Sequence, residues 1–196
     1  THLLAFPYLM KNNLLITTAL DFKDKKYIKK YCLSHWCNDF KTTNQYKNLT
    51  YTDHHWTNKK KALNNKKYIN KIINQLLDYF FPILNKIHNL NYKKEYWKII
   101  LYPWLLHYTI VCFDRWEQIK KFTSRHKKKS FFILDYQYTS LDYIFNTHTE
   151  FYLATNQDSF NSYLINKIFK YTEYNNIEFR KSKFIIKKET LISDIA

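Results

Sequence analysis

Phe131-Phe132-Ile133-Leu134-Asp135 is a short, nearly all-apolar run entered from a stretch, Lys120 to Ser130, that holds Lys120, Lys121, Arg125, Lys127, Lys128 and Lys129 and no acid. The pair reads as a basic loop feeding a buried strand. Upstream, the period is helical. From Asn64, the residues Tyr68, Ile69, Ile72, Ile73, Leu76, Leu77, Phe80 and Leu84 recur at three- and four-residue steps, which predicts an amphipathic helix ending by Asn89. Pro82 should kink or restart it. A second helix is expected from about Lys93 to Phe122, kinked at Pro103. Being apolar nearly all round between Ile99 and Phe113, it reads as a central, buried element.

Further toward the N-terminus, Asn13 to Leu20 is a β-branched apolar run and predicts another buried strand. A charged turn follows at Asp21 to Lys26, then a second strand around Tyr31-Cys32-Leu33 that ends near Ser34-His35-Trp36. Asn38 to Asn48 reads as a polar connection, and Leu49 to Thr52 as a weakly extended segment. Downstream of Asp135, Glu150 to Ala154 reads as a short strand and Gln157 to Tyr171 as a helix. The tail, with Phe184-Ile185-Ile186, looks extended and basic. Alternating strands and helices make this an α/β layered domain with a helical insertion, taken as a single domain over residues 1–196.

Composition excludes several functions. Average usage would put about 7% glycine in a chain of this kind, and this one has none. Phosphate-cradling and dinucleotide-binding loops, and the Gly-x-Ser-x-Gly nucleophile elbow, cannot be built without it. The net charge of +16 points toward polyanions. However, all but Arg115, Arg125 and Arg180 of the 32 basic residues are lysine. Abundant Lys, Asn, Ile and Tyr is what an AT-rich genome writes, and arginine is the preferred reader of phosphates and bases. Nucleic acid is therefore not an expected partner.

Three cysteines suit a reducing compartment, so a cytoplasmic location is expected. Ile99 to Phe113 falls short of the ~20 residues a membrane span needs. The opening, Thr-His-Leu-Leu-Ala-Phe-Pro-Tyr-Leu-Met, lacks the marks of a signal peptide. It also lacks an initiator Met, and with the abrupt end at Ser-Asp-Ile-Ala the chain reads as a fragment.

Few clusters carry chemistry. Cys32 and Cys37, with His35, His54 and His55, hold zinc-ligand atoms at a spacing that does not suit zinc, and buried core is the favoured reading of the cysteines. Asp53-His54-His55-Trp56 puts an imidazole where a general base is useful, or is simply a helix-entry loop. In Asp114-Arg115-Trp116, Arg115 is either an anion clamp oriented by Asp114 or one half of a structural ion pair. Trp97, Trp104 and the tyrosines Tyr92, Tyr96, Tyr102 and Tyr108 fit core packing better than stacking platforms. The runs Lys59 to Lys61, Lys127 to Lys129 and Lys187-Lys188 read as solvated surface.

From Leu84-Asn85-Lys86-Ile87-His88-Asn89-Leu90-Asn91 through Tyr96-Trp97-Lys98-Ile99-Ile100-Leu101-Tyr102-Pro103-Trp104-Leu105 to Phe113-Asp114-Arg115-Trp116, the chain resembles a bacterial family. Its members are transferases associated with lipopolysaccharide and surface-polysaccharide clusters, and the likeness is to their N-terminal half. Ile16 to Leu20, Trp36-Cys37 and His55-Trp56 add to it. The resemblance implies a glycosyltransferase of two facing Rossmann-like domains, the GT-B arrangement, with this chain as the acceptor-side domain. It implies a nucleotide-activated sugar donor, bound mainly by a C-terminal domain, a glycan acceptor, and peripheral contact with the inner membrane surface. On this reading His55 is the catalytic base and Trp56, Asp114, Arg115 and Trp116 bind substrate. No cofactor and no metal are expected, and the fragment alone should not turn over. Glycines expected from the family are replaced by Ser34 and Tyr102, and an acidic pair by Thr57-Asn58. The alternatives are a basic non-enzymatic module for RNA or an acidic surface, or the product of a decayed gene.

Overall fold

The computed structural model describes residues 13–23, 29–37, 49–138, 145–172 and 174–186. The chain opening, the connection at 38–48 and Lys187-Lys188 lie outside them. Five parallel strands form one sheet: β1 (Asn13–Ile16), β2 (Lys29–Cys32), β3 (Thr50–Tyr51), β4 (Phe131–Tyr138) and β5 (Ile177–Ile186), in the order β3-β2-β1-β4-β5. The helices are α1 (Lys59–His88), α2 (Lys94–Arg125), α3 (His148–Ala154) and α4 (Asp158–Thr172). β1 leads outward to β2 and β3, and β4 leads the other way to β5. The β1/β4 boundary is thus the point where strand order reverses, and sheets of this kind open a crevice there at their carboxyl ends.

The sheet is held by its centre. Leu14, Leu15 and Ile16 of β1, with Phe131, Phe132 and Ile133 of β4, have no exposed surface. Each such side chain contributes about 1.5–3 kcal/mol by leaving water. Ile119 and Phe122 of α2, with Ile165 and Phe169 of α4, belong to the same core cluster.

α1 and α2 are the expected helical insertion, an antiparallel hairpin between β3 and β4. Asn58 begins α1, its side chain accepting the Lys61 N–H at 3.0 Å. The helix therefore starts five residues before Asn64, where the apolar period first shows. It ends as predicted at Asn89, whose φ of 52° lies in the left-handed region that asparagine tolerates when glycine is absent. Asn85 clasps the turn: its Oδ1 accepts the Tyr92 amide (3.2 Å) and the Trp97 indole (2.8 Å), and its Nδ2 donates to the Tyr92 carbonyl (2.8 Å). α1 runs on through Pro82 instead of restarting there, and α2 runs on through Pro103. Both prolines are exposed, so the carbonyls they leave unpaired face water.

Other expectations need correction. Glu150 to Ala154 is helix α3, not strand, because Thr147 and Glu150 form a capping box: Thr147 Oγ1 accepts the Glu150 N–H at 3.1 Å, and Glu150 turns back to the Asn146 amide at 2.9 Å. β1 stops at Ile16, since the Asp21 carboxylate captures the amides of Thr17 and Thr18 and curls Ala19–Lys23 into a 3-10 turn. The first half of the basic run is the last turn of α2, which reaches Arg125.

The largest correction concerns α2. It is not buried on most faces of its apolar middle: Leu105, Thr109 and Phe113 turn inward, but Ile99 is 79% and Ile100 51% exposed. Its buried part is the polar second half, with Asp114, Glu117, Gln118 and Thr123 all sequestered. Among the described residues no helix is long and apolar enough to cross a membrane.

Candidate functional site

β1, β2 and β3 deliver three loops to the carboxyl edge of the sheet, where they are stitched together. Leu33 donates its N–H to Ile16 (2.9 Å), Thr52 to Cys32 (3.3 Å), and the Cys37 thiol to the Thr17 carbonyl (3.1 Å). Beneath them lies Asp21, fully buried. Oδ2 accepts from the Thr17 amide (2.6 Å) and hydroxyl (2.9 Å), and Oδ1 from the Tyr136 hydroxyl (2.8 Å). Burial pushes this carboxyl up, against the pull of those bonds.

Gln118 of α2 locks the loops to the helix. Its Oε1 accepts the His55 amide at 3.1 Å, and its Nε2 reaches the carbonyls of Leu33 (2.8 Å), Thr52 (3.3 Å) and Asp53 (3.2 Å). One helical turn before Gln118 stands Asp114, and the lock brings the His54-His55 pair onto it. His55 Nε2 lies 2.8 Å and His54 Nε2 3.1 Å from the same Asp114 Oδ1. Oδ2 accepts from Arg115 Nη1.

Arg115 is held on every side. Its Nε donates to Asn161 Oδ1 at 3.0 Å, and the guanidinium lies 4.5 Å from the centre of the Trp36 ring. Asn161 is itself fixed by bonds from its Nδ2 to the carbonyls of Thr155 (2.9 Å) and Gln157 (2.8 Å). An arginine has five N–H donors, and these two bonds use two of them.

Electrostatics assign the protons. Burial raises the Asp114 carboxyl, but the His55 hydrogen bond and the Arg115 and histidine charges outweigh it and leave Asp114 below its ordinary value, hence ionised. Both Nε2 atoms therefore carry protons toward it. Burial lowers His54, against the pull of Asp114, so this imidazole is neutral near pH 7. His54 Nδ1 accepts the Trp56 amide at 3.3 Å, in keeping with that tautomer. His55 Nδ1 and Trp36 Nε1 are buried and have no hydrogen-bond partner among the described residues. A carboxylate that fixes one imidazole nitrogen as donor leaves the other as a lone pair, the logic of an oriented base.

The ring nitrogens of His54 and His55 and the Asp114 oxygen lie within 4.8 Å of one another, a donor set of the type divalent ions use. To hold an ion the group would give up both N–H bonds to Asp114 and the Trp56 bond to His54. The three atoms satisfy each other.

Compared with known families, the chain matches one described as LIC12162 family transferase over residues 13–194. The chain belongs to this family of transferases. Among curated proteins and solved structures, nothing matches it.

In this LIC12162 family transferase, His55, Asp114 and Arg115, singled out in sequence, meet as a single cluster. Trp56 is exposed and edge-on to both imidazoles, with ring centres 5.7 and 5.2 Å away. Trp116 points elsewhere: it lines an apolar groove of about 290 Å³ between α1 and α2, with Tyr68, Ile72, Leu76, Tyr108 and Cys112. Thr57 and Asn58, in the place of the missing acids, close the His55–Thr57 turn and cap α1. Cys32 and Cys37 are core members whose thiols burial pushes up, Cys32 to about 12. Trp36, Gln118 and Asn161 carry no sequence signal as parts of the site, and His54, inside the candidate cluster Asp53-His54-His55-Trp56, takes a role of its own only through Asp114. Asn161 stands 46 positions from Arg115, beyond any local pattern.

Proposed function

We propose that the chain is the acceptor-side domain of a glycosyltransferase with two facing Rossmann-like domains, moving a sugar from a nucleotide-activated donor to a surface-polysaccharide or lipopolysaccharide acceptor. The observation that carries this reading is the pairing of a pinned arginine with an Asp114-oriented imidazole at the carboxyl edge of a parallel sheet. Glycosyl transfer needs both parts. The acceptor hydroxyl attacks the anomeric carbon, the bond to the donor phosphate breaks, the hydroxyl proton passes to a base, and negative charge grows on the departing nucleotide. His55 Nδ1 is the base. Arg115 answers the leaving phosphate with its remaining N–H groups, already oriented by Asp114, Asn161 and Trp36. His55 Nδ1 is buried, so the acceptor reaches it only when the packing around His55, which includes the exposed Trp56 ring, opens.

The test is Arg115→Ala in the full-length gene product, assayed with a panel of nucleotide sugars and glycan acceptors. Loss of a pinned cation at the leaving group should cut kcat/KM by about 10²–10³-fold, while the melting curve keeps its cooperativity. Wild-type turnover in this variant would remove Arg115 from the reaction. Wild-type protein that transfers a group other than sugar would overturn the glycosyl reading itself.

A further inference from the structure

Away from Tyr108, which meets Phe151 of α3, the hairpin carries an apolar face that nothing among the described residues covers. In α1, Tyr68, Ile72 and Leu76 each precede an inward-facing residue, namely Ile69, Ile73 and Leu77. In α2, Tyr96, Tyr108, Cys112 and Trp116 each precede buried Trp97, Thr109, Phe113 and Glu117. At 100° per residue, the position before an inward-facing one points to the same side of an antiparallel pair on both helices. The groove that Tyr68, Ile72 and Leu76 share with Tyr108, Cys112 and Trp116 agrees with this. So does the Lys94–Asp78 ion pair: both residues fall on the opposite edge. Toward the turn the same side widens into Ile83, Ile87 (68% exposed) and Ile100 (51% exposed).

Charge is placed to match. Lys67, Lys71 and Lys86, all exposed, immediately precede Tyr68, Ile72 and Ile87, and so form a cationic row one step outside the apolar one. The sole acid of α1, Asp78, is spent on Lys94 on the far edge. A biased genome accounts for many lysines, but not for a lysine row beside isoleucines left in water. Protein-binding surfaces favour aromatic residues, Arg and Met and disfavour Lys; this face has the aromatics, but lysine borders it along α1. α1 contains no Arg and no Met, and several Lys. Ile and Tyr bordered by lysine suit the boundary of an anionic bilayer, where the rings and aliphatic groups sink below the headgroups and the ammonium groups reach the phosphates.

We propose that this face of the α1–α2 hairpin docks on the surface of an anionic membrane, lying in the headgroup layer without crossing it. The inference is independent of the chemistry assigned to the carboxyl edge, and its test does not read activity. The chain is floated with vesicles of phosphatidylcholine alone or with about one third phosphatidylglycerol. Binding should require the anionic lipid and fade at high salt. Ile87→Asp/Ile100→Asp, both at exposed positions, should lower the vesicle affinity at least ~10-fold with circular dichroism unchanged. Lys127→Glu/Lys128→Glu, in the turn beyond the far end of α2, should leave it within about twofold. Equal losses in the two variants would mean diffuse attraction and overturn the proposal. Failure of the wild type to float would overturn it too, as would a dimer that the isoleucine variant dissociates, since a second copy would then cover the face.

Discussion

α2 holds two regions that reverse the usual relation between polarity and burial. Its first half, rich in Ile, Tyr and Leu, stands largely in solvent, with only Trp97, Leu105 and Thr109 buried before Phe113. Its second half buries a carboxylate pair, an amide and a hydroxyl. The second half lies over the sheet, where each polar group has a partner: Asp114 the histidines and Arg115, Gln118 the loop backbones, Glu117 the amines of Lys61 and Lys120. The first half has α1 along one face and α3 only against Trp104, His107 and Tyr108, which leaves Ile99 and Ile100 with neither. Sequestered polarity marks where this molecule is specified, while exposed apolarity marks where it has surface to offer.

Substitutions at equivalent depth along the helix should break that contrast if it is false. The greatest effect is expected in the buried polar half. Gln118→Ala strands the His55 amide and carbonyls of three residues, so unfolding stability in urea should fall by about 2–4 kcal/mol. A loss under half a kcal/mol would show the lock to be ornamental.

Asp114→Asn comes next, at about 1.5–3 kcal/mol near pH 7, because charge-assisted bonds become neutral ones. Its signature is in the pH profile. The Asp114 carboxyl is lowered on folding, so its contribution is fully present above the ordinary value of 3.8 and is lost as pH falls through the lower folded value. The gap between wild type and variant should therefore close in acid, and a gap constant with pH would remove the charge from the account. Smallest of all, Ile99→Ser in the exposed half should stay within about 0.5 kcal/mol of wild type. A larger loss would mean that α2 packs on something along that face.

The sequence speaks clearly where a pattern is local. The β1 and β4 runs, the period of α1 and the turn at Asn89 all depend on neighbours within a few residues, and all were legible. α3 was misread because Phe151-Tyr152-Leu153 has strand-like composition, although Thr147 and Glu150 announced the helix. The exposure of Ile99 could not be read, since burial belongs to the partner and a helix does not record how many it has. The site lies between these cases. His55, Asp114 and Arg115 stood out by type, but their convergence needs Gln118 and Asn161, whose roles exist only once the sheet has assembled.

The order of the strands also sets a timetable. The hairpin forms from contacts near in sequence, whereas the centre of the sheet joins Leu14 to Phe132, next to an Asn13–Ser130 bond spanning 117 positions. Local pieces close fast and distant ones wait on the entropy of a long loop. During synthesis, β1 and β2 leave the ribosome with their inner edge open until the whole hairpin and β4 have followed. An open edge flanked by Leu14, Leu15 and Ile16 is the segment of this chain most prone to pair with a neighbour. Slow translation across α1 and α2 would prolong its exposure.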